Sequence, residues 1–218
     1  MMHIEHFTFN IFLERTIIVW DENGFCAFVD PGFSSDREKD KLVSFVTEKG
    51  LKPACIMLTH GHFDHVAGVA ELVELYGIPV YMHTEEKYTL DVTNPVLGRA
   101  FGLSEPKAFD YTHASGTIEV GSLKFEVIET PGHSKGSVCF LERNEKVLFS
   151  GDTLFAGAIG RTDHPGGDYD MLMKSIFEKL MCLDGDITVI PGHGPETSIA
   201  DERMTNPFLL PFNEPYNE

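Results

Sequence analysis

The sequence predicts an α/β layered domain, in which strands and helices share one core. Short runs rich in β-branched and aromatic residues recur along the chain, and segments with helical spacing of apolar residues separate them. The order strands, helix, strand, helix occurs twice, which indicates two similar halves. The length of 218 residues is typical of one domain, so we expect residues 1–218 to form a single domain.

The first part of the chain predicts a strand meander followed by alternating helices and strands. Three runs alternate as strands do, at 3–9, 15–20 and 25–29, and residues 21–24 supply a turn between the last two. Apolar spacing over 35–49 predicts a helix that Gly50 ends. Four further elements follow by the same criteria: a strand at 53–58, a helix at 64–76, a strand at 79–82 and a short helix at 84–90.

Residues 91–116 interrupt this regularity, because prolines and glycines recur among scattered apolar residues. We predict a long irregular connection or lid there, since loops of that length are usually functional or disordered. The remaining elements are strands at 117–120, 123–128, 137–141, 146–149 and 187–190, a helix at 169–181 and a terminal helical turn at 201–208. We expect the apolar tail at 207–212 to pack on the body of the protein or on another subunit.

Composition and charge exclude several classes of function. The 17 Lys and Arg face 34 Asp and Glu, and the net charge of −17 repels phosphate backbones, so we expect no nucleic-acid partner. No apolar run approaches a membrane-spanning length, and the first ten residues show no secretory signal. We therefore expect a cytoplasmic protein without a membrane partner. Its four cysteines form no C-x-x-C pair and are expected to be reduced: Cys26, Cys55, Cys139 and Cys182.

Residue types that bind metals follow four of the predicted strands. Loops at the carboxyl ends of strands are where α/β folds place their sites, so we expect these residues to meet. Five histidines and two aspartates make up the set: His60, His62, Asp64, His65, His133, Asp152 and His193. The other five histidines lack partners at ligand spacing, and we expect structural roles for them, with a supporting role near the site open for His83. They are His3, His6, His83, His113 and His164.

The seven residues predict two metal ions. In extended backbone His60 and His62 project to one side and can share an ion, whereas the chain has turned by Asp64 and His65, which point at a second position. One ion with open coordination takes three or four protein ligands, so seven ligands suit two ions with one bridging carboxylate. Imidazole and carboxylate donors suit zinc, iron and manganese alike. We expect two divalent ions, with zinc favoured over iron and manganese.

Four segments resemble the metallo-β-lactamase superfamily: THGHFDH at 59–65, TPGHS at 130–134, SGDTLF at 150–155 and PGHG at 191–194. Within it, GRTDHPGGD at 160–168 and ERMTNP at 202–207 resemble the short form of the glyoxalase II (hydroxyacylglutathione hydrolase) group. The resemblance implies an αββα sandwich with a dimetal site at one edge of the sheets. It implies the following ligands: His60, His62 and His133 for the first ion, Asp64, His65 and His193 for the second, and Asp152 as the bridge.

The implied activity is hydrolysis of a small-molecule thioester such as an S-2-hydroxyacylglutathione. Two cations lower the pKa of a bridging water until hydroxide exists at neutral pH, and we expect Asp64 to orient it as well as to bind metal. A thiolate leaves with little help, so a site without an evident general acid suits a thioester better than an amide. Arg161 either pairs on the surface with Asp163 or Asp168 or binds a substrate carboxylate, and the resemblance favours substrate binding.

Three alternatives stay open. A persulfide dioxygenase, which is a mono-iron oxidoreductase, shares the fold and the segment at 160–163, although PGHG at 191–194 resembles the hydrolases. A lactonase or broad esterase shares the fold as well, and a non-enzymatic metal-binding module is the least favoured. The long glyoxalase II enzymes carry a tyrosine where this chain has Pro195, and their basic carboxyl-terminal residues have no counterpart here. We therefore expect weak recognition of glutathione.

Overall fold

Two six-stranded β-sheets form the centre of the protein. A computed structural model describes residues 1–102 and 106–210. The first sheet follows chain order: β1 (His3–Phe9), β2 (Glu14–Trp20), β3 (Phe25–Val29), β4 (Lys52–Met57), β5 (Val80–Met82) and β6 (Thr112–His113). The second sheet has the order β14 (Thr197–Ser198), β13 (Thr188–Pro191), β10 (Val147–Gly151), β9 (Val138–Glu142), β8 (Leu123–Glu129) and β7 (Thr117–Val120). A small hairpin pairs β11 (Leu154–Phe155) with β12 (Ala158–Ile159).

The helices lie mostly between strands of the same sheet. Those of the first half are α1 (Asp36–Glu48), α2 (Phe63–Val66), α3 (Val69–Tyr76), α4 (Glu86–Tyr88) and α5 (Asn94–Phe101), the last two joined by a π-helical stretch (Thr89–Thr93). The second half contributes α6 (Tyr169–Ser175), which continues as a second π-helical stretch (Ile176–Leu180), and α7 (Ile199–Thr205). No helix among the described residues is long and apolar enough to cross a membrane.

Three apolar clusters show that the elements form four layers. The central cluster joins inward-facing side chains of both sheets, such as Val19 and Phe140, so the sheets pack face to face. An outer cluster packs α1 and α3 on the first sheet, and another packs α6 on the second. Alternate residues of each strand serve opposite faces, which is why strands such as β9 are buried along their whole length. The predicted αββα sandwich is confirmed.

The strands that precede the site end at one edge of the sandwich. In the first sheet β3 and β4 are parallel, and in the second sheet β10 and β13 are parallel. Parallel neighbours end at the same edge of a sheet, so the loops that follow them lie together. This edge carries the metal-binding residue types.

The prediction of an irregular connection at 91–116 is wrong for much of its length, because residues 94–101 form helix α5 and Thr112–His113 form a strand. Pro95 lies in the first turn of α5, directly after the π-helical stretch, and Gly102 ends the helix at φ +67°. Helix α5 therefore accommodates a proline near its start and ends at a glycine. The centre of the predicted lid, residues 103–105, lies outside the described residues.

Two smaller differences concern a helix break and the tail. The helix predicted at 64–76 is two helices, because the Gly68 N–H donates to the Pro31 carbonyl at 2.8 Å and not to a carbonyl of the preceding turn. Only glycine fits there, since a Cβ would lie 2.3 Å from Phe33 Cε1. In the apolar tail Leu209 is buried in the outer cluster beside α6, whereas Phe208 and Leu210 are partly exposed. Residues 211–212 of that tail lie outside the described residues.

Candidate metal centre

The structure brings all seven predicted ligand residues together at the sheet edge. His60, His62 and His133 offer ligand atoms within 4.8 Å of one another and form what we call the first group. Asp64, His65 and His193 meet the same criterion and form the second group. The seventh residue, Asp152, lies between them.

The first group consists of three buried imidazoles. His62 Nδ1 lies 2.9 Å from His133 Nε2, and the His60 and His62 rings are 4.7 Å apart. The three residues retain between 1 and 5% of their surface. Two unprotonated ring nitrogens at this separation repel each other unless a proton or a cation lies between them, so this arrangement suits a metal ion.

The second group adds a carboxylate to two imidazoles. His65 Nε2 lies 3.3 Å from His193 Nε2, and Asp64 Oδ2 lies 3.4 Å from His193 Nε2 and 3.7 Å from His65 Nε2. His65 is fully buried, whereas His193 keeps a quarter of its side chain exposed. The second group is thus the more open of the two.

Asp152 reaches both groups. Its Oδ2 is 3.6 Å from His133 Nε2 and 3.6 Å from His193 Nε2, and its Oδ1 is 3.5 Å from His65 Nε2. Burial opposes ionisation of this carboxyl, but the surrounding imidazoles, His65 first, hold its pKa well below the ordinary value. Within the described part of the chain, Asp152 Oδ1 and His60 Nε2 are buried without a hydrogen-bond partner. Buried nitrogen and oxygen atoms with free lone pairs that face one another in this way fit two metal cations as their ligands.

In four of the histidines, Nδ1 lies within hydrogen-bond distance of an acceptor oxygen. Each Nδ1–H can donate to that acceptor, which leaves the Nε2 lone pair directed at the centre. The acceptors are Thr59 Oγ1 for His60 at 3.1 Å, Asp30 Oδ2 for His65 at 3.1 Å, the Arg161 carbonyl for His133 at 2.7 Å and the Phe12 carbonyl for His193 at 3.1 Å. The protein thus selects the tautomer that binds metal through Nε2.

Asp30 is a buried carboxylate that no sequence motif assigned to the site. It groups with His60 and His65 within 4.8 Å. Its oxygens, however, accept from the Thr59 backbone N–H at 2.7 Å and from Thr59 Oγ1 at 2.5 Å, as well as from His65. Asp30 therefore orients histidines of both groups. Its position directly after β3, at the same sheet edge, was the available signal.

Glu86 and Asn94 connect the loops of the centre through hydrogen bonds, and neither residue belongs to a recognisable sequence motif. Glu86 is fully buried and accepts from the Gly61 N–H at 2.6 Å, the Gly136 N–H at 2.7 Å and Ser134 Oγ at 2.5 Å. Asn94 Oδ1 accepts from the Phe63 N–H at 3.1 Å, and its Nδ2 donates to the Gly61 carbonyl at 2.9 Å. The loop at 59–65 is thereby fixed against the loop of His133.

Proton affinities differ between the two groups. Burial, reinforced by neighbouring imidazoles, lowers the pKa of His60 and His62 well below the ordinary value, and burial lowers the pKa of His133 to about 4. Burial also acts to lower the pKa of His65 and His193, but the nearby carboxylates outweigh it, and both pKa values are raised. Before metal binds, the histidines of the second group therefore hold a proton more tightly than those of the first group.

A cleft of about 500 Å³ opens over the centre and includes residues of both groups in its lining. Arg161 lines its mouth and at the same time pairs with Asp163, with Nε 2.9 Å from Oδ1 and Nη2 3.0 Å from Oδ2. Arg161 thus forms the ion pair with Asp163 that was one of its two expected roles, and it also lies beside the cleft, where a substrate could reach it. His164, for which a structural role was expected, lines the cleft with its ring 4.6 Å from that of His62.

Sequence relatives agree with this geometry. A family model for the metallo-beta-lactamase superfamily matches residues 13–193. Hydroxyacylglutathione hydrolase GloC of Haemophilus influenzae is 36% identical over 212 residues, which cover 95% of this chain and 98% of the relative. Probable metallo-hydrolase YqgX of Bacillus subtilis is 39% identical over 191 residues, which cover 86% of this chain and 89% of the relative.

Solved structures show the same fold. BLEG-1 B3 metallo-beta-lactamase has a TM-score of 0.88 at 34% identity, covering 96% of this chain and all of its own. TTHA1623 in a di-iron-bound form has a TM-score of 0.83 at 36% identity, covering 94% and 100%. ETHE1 from Myxococcus xanthus has a TM-score of 0.74 at 25% identity, covering 94% and 83%. With its fold, its clustered histidines and these relatives, the chain belongs to the metallo-beta-lactamase superfamily.

Proposed function

We propose that this metallo-hydrolase is a thioesterase of glyoxalase II type that acts on S-2-hydroxyacylglutathione or related small-molecule thioesters. The observation that carries the proposal is the position of Asp152 between two complete groups of donors, within 3.6 Å of histidines from both. A relative named as a hydroxyacylglutathione hydrolase supports the substrate class.

Two divalent ions are the proposed cofactor, and zinc is the metal that we favour. The first group would hold one ion and the second group the other, with Asp152 shared between them. When bound, such a pair supplies Lewis acidity and lowers the pKa of water into the neutral range. The di-iron form of TTHA1623 supports iron as an alternative occupant of the same donors.

Asp64 is the proposed catalytic residue. Its carboxylate lines the cleft beside His193 and keeps about a tenth of its side chain exposed, so it can accept a hydrogen bond from an attacking water while it binds metal. The described residues that line the cleft include no lysine, tyrosine or glutamate to protonate an amine leaving group. His164 is the one histidine of that lining outside the two groups, and burial lowers its pKa, which makes its ring a poor proton store for this step. A thiolate needs no such acid, which favours a thioester substrate.

Arg161 is the proposed contact for an anionic substrate group. Its guanidinium lies at the mouth of the cleft, and its pairing with Asp163 is exposed and weak enough to be exchanged for a substrate carboxylate. Substrate would therefore meet the metal centre at one end and Arg161 at the other.

The test is hydrolysis of S-D-lactoylglutathione by protein that has been stripped of metal and reloaded with zinc, manganese or iron. We expect metal-dependent loss of thioester absorbance without oxygen consumption. An oxygen electrode with glutathione persulfide examines the persulfide dioxygenase alternative, which the resemblance of the segment at 160–163 leaves open. Iron-dependent oxygen uptake without thioester hydrolysis would overturn the proposal.

A further inference from the structure

The cleft above the metal centre has one apolar wall, assembled from separate segments of the chain. The loop after β1 contributes one aromatic ring and α2 another, α5 contributes two side chains, and the hairpin of β11 and β12 contributes two more. These residues, which we call the apolar wall, are Phe12, Phe63, Leu97, Phe101, Phe155 and Ile159. None of them has a role in holding metal.

Three rings of this wall pack on one another but leave surface free. Phe12 lies 4.9 Å from Phe63 and 5.4 Å from Phe101, both in edge-to-face contact. Leu97 lies four residues before Phe101 on α5, so both project from one face of that helix. Phe101 is nonetheless 51% exposed. An exposed aromatic side chain beside a reaction site provides apolar surface for a ligand to cover.

Three aromatic residues of the apolar wall lie on the side of the second group. Phe63 precedes Asp64 in the chain, the Phe12 carbonyl accepts from His193, and the Phe155 ring is 6.4 Å from that of His193. The polar side chains Arg161 and His164 lie by contrast beside the first group, since His133 donates to the Arg161 carbonyl. A substrate that spans the centre therefore meets an apolar surface at one end and polar groups at the other.

Charge favours a neutral group against the wall. Arg161 is the single lysine or arginine among the described residues that line the cleft, and Asp163 already pairs with it. The whole chain carries a net charge of −17, which repels an anionic peptide such as glutathione. An uncharged apolar substituent avoids this repulsion and gains from burial.

We propose that the apolar wall binds an uncharged alkyl or aryl substituent of the substrate, so that the preferred substrates are thioesters with an apolar group next to the scissile bond. This inference rests on the proposed thioesterase function and specifies its substrate class. The apolar group can belong to the acyl or to the thiol half of the thioester, and the experiment separates the two sources.

The experiment uses two series of neutral thioesters with the metal-loaded protein. In one the acyl chain grows from acetyl to hexanoyl on N-acetylcysteamine, and in the other an acetyl group is carried by alkyl thiols of increasing length. We expect kcat/KM to rise by about threefold to fourfold for each methylene that becomes buried, in one of the two series. The series that shows the rise identifies the half of the substrate that contacts the wall.

Variants of α5 test whether the wall causes the effect. Phe101→Ala and Leu97→Ala should flatten the dependence of kcat/KM on chain length, whereas Val96→Ala should keep the wild-type dependence. Val96→Ala is the matched control, because Val96 is 41% exposed on the same helix and does not line the cleft. Thermal unfolding of each variant verifies that it folds.

A binding measurement keeps the inference testable without turnover. Thioether analogues of the same chain lengths, titrated into metal-depleted protein, should bind more tightly as the chain grows, and Phe101→Ala should remove that gain. Hydrolysis of short thioesters with no dependence on chain length in either series would overturn the inference and leave the proposed function standing. Absence of all thioester hydrolysis would overturn the proposed function, and the thioether titration would still decide whether the wall binds apolar groups.

Discussion

The two groups of the metal centre differ in composition and in charge. The first group has three imidazoles, each nearly inaccessible, and its histidines have lowered pKa values. The second group contains the carboxylate of Asp64 and two histidines with raised pKa values. The difference arises because burial, reinforced by neighbouring imidazoles, prevails in the first group, whereas nearby carboxylates outweigh burial in the second.

This difference indicates how the centre fills. Neutral imidazoles are ready to bind a cation, whereas protonated ones must first release their protons. We therefore expect the first group to bind its ion readily and the second group to bind with a stronger dependence on conditions. Each of the following changes breaks or sharpens this contrast, from the largest expected effect to the smallest.

Replacing Asp152 should abolish the contrast, because this carboxylate is near histidines of both groups. We expect Asp152→Ala to lose both ions and to lower kcat by on the order of 10³-fold or more. Metal analysis and steady-state kinetics measure both effects. Asp170→Ala, which removes an exposed carboxylate of α6, is the control and should match the wild type. Retention of two ions by Asp152→Ala would mean that the groups are independent of it.

Replacing Asp64 should remove one group and spare the other. We expect Asp64→Ala to retain one ion per chain and to lower kcat by roughly 10²- to 10³-fold, because the second ion and the orientation of water are lost together. Asp163→Ala is the control, since Asp163 is exposed and pairs with Arg161. Comparable losses of kcat in the two variants would show that the proposed role of Asp64 is wrong.

Removing the charge of Asp30 should weaken the second ion more than the first. Asp30 bonds His65 directly but reaches His60 only through Thr59. We expect Asp30→Asn to lower the affinity for the second ion by about 10- to 100-fold, as is typical when the partner of a ligand histidine is changed. Chelator competition measures both affinities, with Asp40→Asn on α1 as the control. Equal weakening of both ions would contradict this assignment.

Acidification should separate the two affinities without any mutation. His65 and His193 have raised pKa values, so as the pH falls they gain protons before the histidines of the first group do, and the second ion must displace those protons. The pKa of His133 is about 4 and those of His60 and His62 are also lowered, so protons compete less with the first ion. As the pH is lowered, we expect the affinity for the second ion to fall by up to about tenfold per pH unit for each histidine that protonates, and the affinity for the first ion to fall less. Parallel curves for the two ions in chelator competition would refute the difference.

Arg161 lies outside both groups, and its loss should have the smallest effect. We expect Arg161→Ala to raise the KM for S-D-lactoylglutathione about threefold to tenfold and to leave kcat nearly unchanged, which is the pattern of uniform binding. The wild-type KM should itself be weak, because the cleft offers so few cations to an anionic substrate. A tight KM that does not respond to Arg161 would mean that other residues bind glutathione.

Local spacing explains what could be predicted from the sequence. The alternation of strands and helices predicted the layered fold. The histidines and the aspartate at 59–65 were predicted to meet other ligand-type residues, and the structure brings them together at one sheet edge. The roles of individual ligands and of Arg161 stay predictions. Helix α5 was missed because Pro95 and Gly102 suggested a loop, although α5 holds Pro95 in its first turn and ends at Gly102.

Contacts between distant segments explain what could not be predicted. Glu86 acts on Gly61 and Gly136, which are 25 and 50 residues away, and Asp30 acts on His65 at a separation of 35 residues. No periodicity relates such positions, because they meet only when the two sheets pack. His164 was assigned a structural role for the same reason, since its proximity to His62 depends on the loop after β12.

The most direct test of the dimetal account is titration of metal-depleted protein with zinc, followed by crystallographic location of the bound ions by anomalous scattering. The account predicts two ions per chain, one among His60, His62 and His133 and one among Asp64, His65 and His193, with Asp152 contacting both. A single ion per chain that persists under excess metal would contradict it.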